Sequence, residues 1–138
     1  MNRMTRLTLP LAFVSLFATG VSAAALEPLG QNRYVTDRLV AARVADRIRK
    51  TCPTIGARIF YAFQQAHALK GWAETQGYAK DEIDGFLKDK AEKRKIYARA
   101  EEYLAAHGAK PGVVEGFCAL GLKEIQAKSL IGSLIYEK

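Results

Sequence analysis

RLVAARVADRIRKTCP, Arg38 to Pro53, reads as an amphipathic helix that ends in one of only two cysteines. At about 100° per residue, Val40, Ala41, Val44, Ala45, Ile48 and Cys52 share one face. Arg43, Asp46, Arg47, Arg49 and Lys50 take the other. A stripe of small apolar residues needs a surface to lie on, and its terminal cysteine can lock it there. The natural partner is Cys118, which falls on the apolar stripe of a second helical segment, PGVVEGFCALGLKEIQAK. The fold class that follows is all-α: a four- to five-helix bundle stapled by one disulfide and preceded by a signal peptide.

The leader is read from the first 25 residues. They carry Arg3 and Arg6 and no acid, then an apolar run from Leu7 to Ala18, then small residues from Gly20 to Ala25. That is the pattern of a secretory signal peptide, with Ala-x-Ala chemistry at Ala23 and Ala25. Pro10 interrupts the run, which is shorter than the roughly 20 residues a membrane span needs. A retained N-terminal anchor is the alternative. Residues 26–138 then form a single helical domain. Losing Arg3 and Arg6 lowers the net charge from +7 to +5. Export favours oxidation of Cys52 and Cys118, the alternatives being two free thiols or a link to a partner chain. A loop of this length makes the bridge worth about 4 kcal/mol on chain entropy.

Along the domain, Asn32 is a candidate N-cap for the first helix, and Pro53 ends it. Thr54 is expected to cap a second helix running to Gly77. Ile55, Ile59, Ala62, Phe63, Ala66, Leu69 and Ala73 form one stripe of it, and Tyr61, Ala68 and Trp72 a second. Two apolar sides make this helix the expected hub. Gly56 and Gly71 suggest close approach by neighbours. Asp81 to His107 is expected as a single element, with two helices bent near Asp89 as the alternative; Gly108 closes it. Pro111 is expected at or near the first turn of the next helix. Gly121 would let a neighbouring backbone approach there. Ser129 then caps a short apolar tail whose Leu130, Ile131, Leu134 and Ile135 must be buried somewhere. No strand pattern is evident.

Chemistry is sparse. His67 and His107 belong to no HExxH, and no acid or cysteine lies at ligand spacing from either. The cysteines are too far apart for a CxxC redox pair or a zinc knuckle. GxSxG, phosphate-loop and SxxK motifs are absent from the sequence. The expectation is therefore a protein that is not an enzyme, with no catalytic residues, metal or cofactor. Two basic concentrations stand out, on the first helix and at Lys88–Arg99. Arg43, Arg47, Lys50, Lys93 and Arg94 are the candidate contacts to an anionic surface, either headgroups or an acidic protein. A solvated helix face with Asp46, Asp89 and Glu92 as counter-charges is the plainer account. Nucleic acid is not expected as a partner of an exported protein. The surplus aromatics present a similar choice between core and surface. If exposed, Phe60, Tyr61 and Trp72 would form a docking surface together with Leu130, Ile131, Leu134 and Ile135.

At RLVAARVADRIRKTCPTIGAR, EIDGFL and FCALGLKEI the chain resembles small exported bacterial proteins of the domain of unknown function 5333 family. The resemblance runs from about Asn32 to Gly132 and includes both cysteines. It implies an all-helical periplasmic domain with a Cys52–Cys118 bridge. It also implies an accessory subunit on the periplasmic face of a membrane complex, the respiratory NADH:quinone oxidoreductase (complex I). The expected function is thus a non-catalytic interaction subunit peripheral to the inner membrane. The alternative is a free-standing periplasmic binding or chaperone-like module.

Overall fold

The computed structural model describes residues 24–138. The leader expected over residues 1–25 lies outside the described residues, except for Ala24 and Ala25. Six helices and a short two-stranded ribbon follow: α1 (Arg33–Thr51), β1 (Ile55–Ala57), α2 (Ile59–Thr75), α3 (Lys80–Lys88), α4 (Lys90–Ala106), α5 (Val114–Ala127), α6 (Leu130–Ser133) and β2 (Ile135–Glu137). The all-helical architecture with its staple is as expected, and α6 is a single turn.

Helix α1 begins where Asn32 Oδ1 accepts the Val35 N–H at 3.2 Å. It ends at Cys52, whose ψ of 116° is the extended conformation that a following proline demands. Its small-residue stripe is buried as the sequence indicates: Ala41, Val44, Ala45, Ile48 and Cys52 all enter the main core. There they meet Ala100 and Leu104 of α4, Phe117 and Leu120 of α5, and Ile131 and Ile135 of the tail. The expected staple is formed. Cys52 and Cys118 are bonded, with Cα atoms 5.1 Å apart and 66 positions between them in sequence.

The hub is therefore α1, not α2. Helix α1 packs on α4, α5, α6 and β1, whereas α2 leans chiefly on α3. Only Ala73 of α2 is fully buried. Its C-terminal half joins a second, smaller cluster of Leu29, Val35, Ala73, Tyr78 and Ile83, flanked by Leu69 and Trp72. Apolar residues on two sides of a helix do not require two covered sides.

Three further expectations are corrected. Residues Thr54–Arg58 are not helical. Ile55–Ala57 pairs antiparallel with Ile135–Glu137, Gly56 opposite Tyr136, so a short ribbon exists where no strand was expected. The ribbon holds because Ile55 and Ile135 are buried and the Tyr136 ring covers Gly56, where a Cβ would lie 2.5 Å from Cζ. Asp81–His107 is two helices. Asp89 leaves the helical region at ψ 123°, ending α3, and its Oδ1 accepts the Ala91 and Glu92 N–H groups at 2.7 and 2.8 Å to start α4. Pro111 precedes α5 in a turn, outside its first helical position.

The caps at the far ends are as read. Gly77 and Gly108 sit at φ +101° and +83°, the left-handed positions that terminate α2 and α4. Ser129 Oγ accepts the Gly132 N–H at 3.0 Å at the start of α6. Gly121 does receive a close neighbour, but it is side chain rather than backbone: a Cβ there would fall 2.2 Å from Ile55 Cδ1 and 2.8 Å from Ile48 Cγ2. Gly71, by contrast, has open space around it.

Reducing the bridge, or replacing Cys52 and Cys118 together by alanine, should lower the unfolding free energy by about 2–4 kcal/mol, read as a shift in denaturant midpoint. Gly121→Ala should cost about 1–3 kcal/mol by the same measurement, because both isoleucines are fixed in the core. A Gly121→Ala protein as stable as the wild type would contradict this packing.

Candidate functional site

Apolar side chains left outside the cores mark the most distinctive surface. The first turn of α2 exposes Phe60 (87%), Phe63 (63%), Ile59 (49%) and Tyr61 (38%). Phe60 and Phe63 lie about 60° apart on the helix, with Ile59 beside Phe63 and Tyr61 about 100° beyond Phe60. Folding half-covers the opposite side of α2 at Ala62 and Leu69, buries it at Ala73, and leaves this one free. Leu130 of α6 is also exposed, and it borders a groove formed with Ala62, Ala66 and Leu69 of α2 and with Leu39 and Ala42 of α1.

The structure divides the sequence-derived docking set. Phe60, Tyr61 and Leu130 are at the surface. Trp72 is half-buried and stacks on Tyr34 with ring centroids 4.0 Å apart. Ile131 and Ile135 are core residues and Leu134 packs against the core, so these three leave the set. Ile59 and Phe63 join it. Sequence periodicity assigns both to the helix's inner stripe, and no signal in the sequence sets them apart from Ala62, Leu69 and Ala73.

The anionic-contact set divides as well. Arg47 Nε donates to Glu101 Oε1 at 2.9 Å, and Lys50 Nζ and Arg49 Nη2 each lie 2.7 Å from Asp46. Arg43 bonds Asp46 at 3.4 Å and lies over the Tyr97 ring, 4.0 Å from its centroid, with its Nε buried and unpartnered. These cations face carboxylates of their own protein. Burial pushes the Asp46 carboxyl up, but the Lys50 bond and the Arg49 charge outweigh it, so it titrates below the usual range. Lys93 and Arg94 remain exposed on α4.

Two other features lie away from this surface. A cleft of about 280 Å³ between α1, α3 and α4 is floored by Leu39, Phe86, Leu87 and Ile96; Arg43, Asp46, Glu92 and Lys93 around it are balanced in charge. Near α5, the buried Glu124 carboxylate accepts the Tyr103 and Ser129 hydroxyls. Tyr103 in turn stacks on His107, whose Nδ1 lies 2.7 Å from the Tyr103 carbonyl oxygen. His67 is exposed on α2. Among the described residues no group of three or more histidine, cysteine, aspartate or glutamate side chains is placed to hold a metal ion. No described helix is long and apolar enough to cross a membrane.

A disulfide-tied helical module with one helix half outside its core defines the structural class. Residues 27–136 match the model of the family of unknown function DUF5333, and the chain belongs to that family. Neither a curated protein nor a solved structure matches it.

Burial, then the bond to Glu124, pushes the Tyr103 phenol from 10.0 up to about 12. The folded protein thus holds this proton more tightly than the unfolded chain does. Its stabilisation is complete below about pH 10 and is lost as the pH rises through about 12. Tyr103→Phe should lower stability at neutral pH, and its deficit against wild type should narrow across that window, as denaturant midpoints will show.

Proposed function

We propose that the protein is a non-catalytic docking module of the periplasm, holding α2 against a membrane-embedded partner. The observation that carries this is the first turn of α2, where large apolar side chains stand in solvent outside both core clusters of the described residues. Aromatic anchors of this kind supply much of the binding energy in protein interfaces. The leader-like N-terminus and the paired cysteines support an exported location. The respiratory NADH:quinone oxidoreductase is the partner implied by the family resemblance. In this role the disulfide-tied core is a mount, and α2 is the part that makes contact.

The test is purification in mild detergent through a C-terminal tag, followed by mass spectrometry of intact complexes. Wild-type protein should carry a membrane complex with it. Phe60→Glu combined with Phe63→Glu should lose that complex while keeping the wild-type melting temperature, since neither ring belongs to a core cluster. Recovery of the wild-type protein alone would overturn the proposal.

A further inference from the structure

We infer that the first turn of α2 seats in the surface of an anionic lipid bilayer. The inference rests on α2 being the docking element and names what its tip enters. Shape is the first reason. Ile59, Phe60, Tyr61 and Phe63 point outward over more than half of the helix circumference, making a convex tip instead of a flat stripe. A protein groove covers one side of a helix, whereas lipid closes around a protrusion on every side. Aromatic and branched side chains at the end of an otherwise polar module suit the boundary between headgroups and acyl chains.

Charge is the second reason. No acid occurs between Arg47 and Ala73, so the tip itself carries no negative charge. Arg58 stands directly before it, with Nε donating to the Ile135 carbonyl at 3.3 Å. Lys128, in the left-handed conformation at the end of α5, lines one depression with Arg58 and Tyr61. Among the described residues neither Arg58 nor Lys128 makes an ion pair, unlike Arg43, Arg47, Arg49 and Lys50 of α1. Lys138, just after β2, reaches back to the Pro53 carbonyl, just before β1, and Glu137 is the one acid of the ribbon. An apolar tip flanked on its Tyr61 side by two cations that no acid neutralises matches a surface of lipid phosphates. Of the basic residues first suggested by composition, Arg43, Arg47, Arg49, Lys50, Lys95 and Arg99 are paired internally, and Lys88, Lys90, Lys93 and Arg94 stand exposed away from the tip's own residues.

The naturally processed protein, purified with its disulfide intact, is mixed at low salt with vesicles of phosphatidylglycerol and phosphatidylethanolamine, or of phosphatidylcholine alone. It should sediment with the anionic vesicles only. Phe60→Ser and Phe63→Ser should each reduce partitioning about tenfold, and Lys128→Gln about fivefold. Phe60→Trp should show emission shifted to the blue and quenched by brominated acyl chains. Failure to sediment while the membrane complex still co-purifies would overturn the inference and leave docking intact. Sedimentation without any co-purifying complex would support lipid contact and count against the partner. Partitioning that survives both serine substitutions but is lost on replacing Lys93 and Arg94 by glutamine would also overturn it, as would an unshifted Phe60→Trp emission.

Discussion

The tether between Cys52 and Cys118 joins the end of α1 to the middle of α5, and the rest of the domain is arranged around that junction. Small residues let α1 come close to its neighbours, and Gly121, one turn beyond Cys118, leaves the space that Ile48 and Ile55 fill. Because Ile55 sits under α5, the chain after Pro53 must stay extended, and there it meets Ile135–Glu137. One covalent junction thus orders the first helix, the ribbon and the C-terminal tail together. A domain of this size gains proportionally more from such a link than a larger one with a deeper core.

How much of this was legible in the sequence varied with the kind of signal. The α1 stripe, the cysteine pairing, the Asn32 and Ser129 caps and the glycine ends at Gly77 and Gly108 all follow from local chemistry, and each stands where it was read. What failed needed tertiary information. Thr54 is a good cap residue, but pairing between Ile55–Ala57 and the distant tail outweighs its local preference. A bend near Asp89 was the alternative reading, because the polar run around it carries no apolar register to say whether one helix continues or another begins. For α2, periodicity reports that a face is apolar without saying whether this chain covers it. Ile59 and Phe63 thus read as inside, while the tail reads equally as buried or as docking surface, and Ile131 and Ile135 are buried.

Composition was also a poor guide to the basic faces. The net charge of +7 suggests broad attraction for anions. In the fold, however, Arg47 with Glu101 and Arg99 with Asp37, at 2.9 and 2.8 Å, bridge α1 to α4. Arg49 and Lys50 converge on Asp46. These are solvent-accessible pairs, each of small energetic weight, but they fix which charges are already answered. The same count of lysines and arginines therefore describes two populations, one serving the α1–α4 contact and the other facing outward.

The two halves of α2 differ for a physical reason that bears on what the helix is for. Its last turns are held by Ala73 against Tyr78 and Ile83, by the Trp72–Tyr34 stack and by the 2.7 Å Lys70–Asp84 bond. Its first turn begins at Arg58 without a side-chain cap, just after the ribbon. Anchored at both ends yet bare along its outer face, the helix cannot turn Phe60 or Phe63 inward without breaking one of those attachments. Each exposed ring gives up about 1.5–3 kcal/mol that full burial would provide. A fold that packs Phe117 and Leu104 completely while leaving its two most exposed large apolar side chains, Phe60 and Phe63, side by side offers apolar area there that something other than this chain can use.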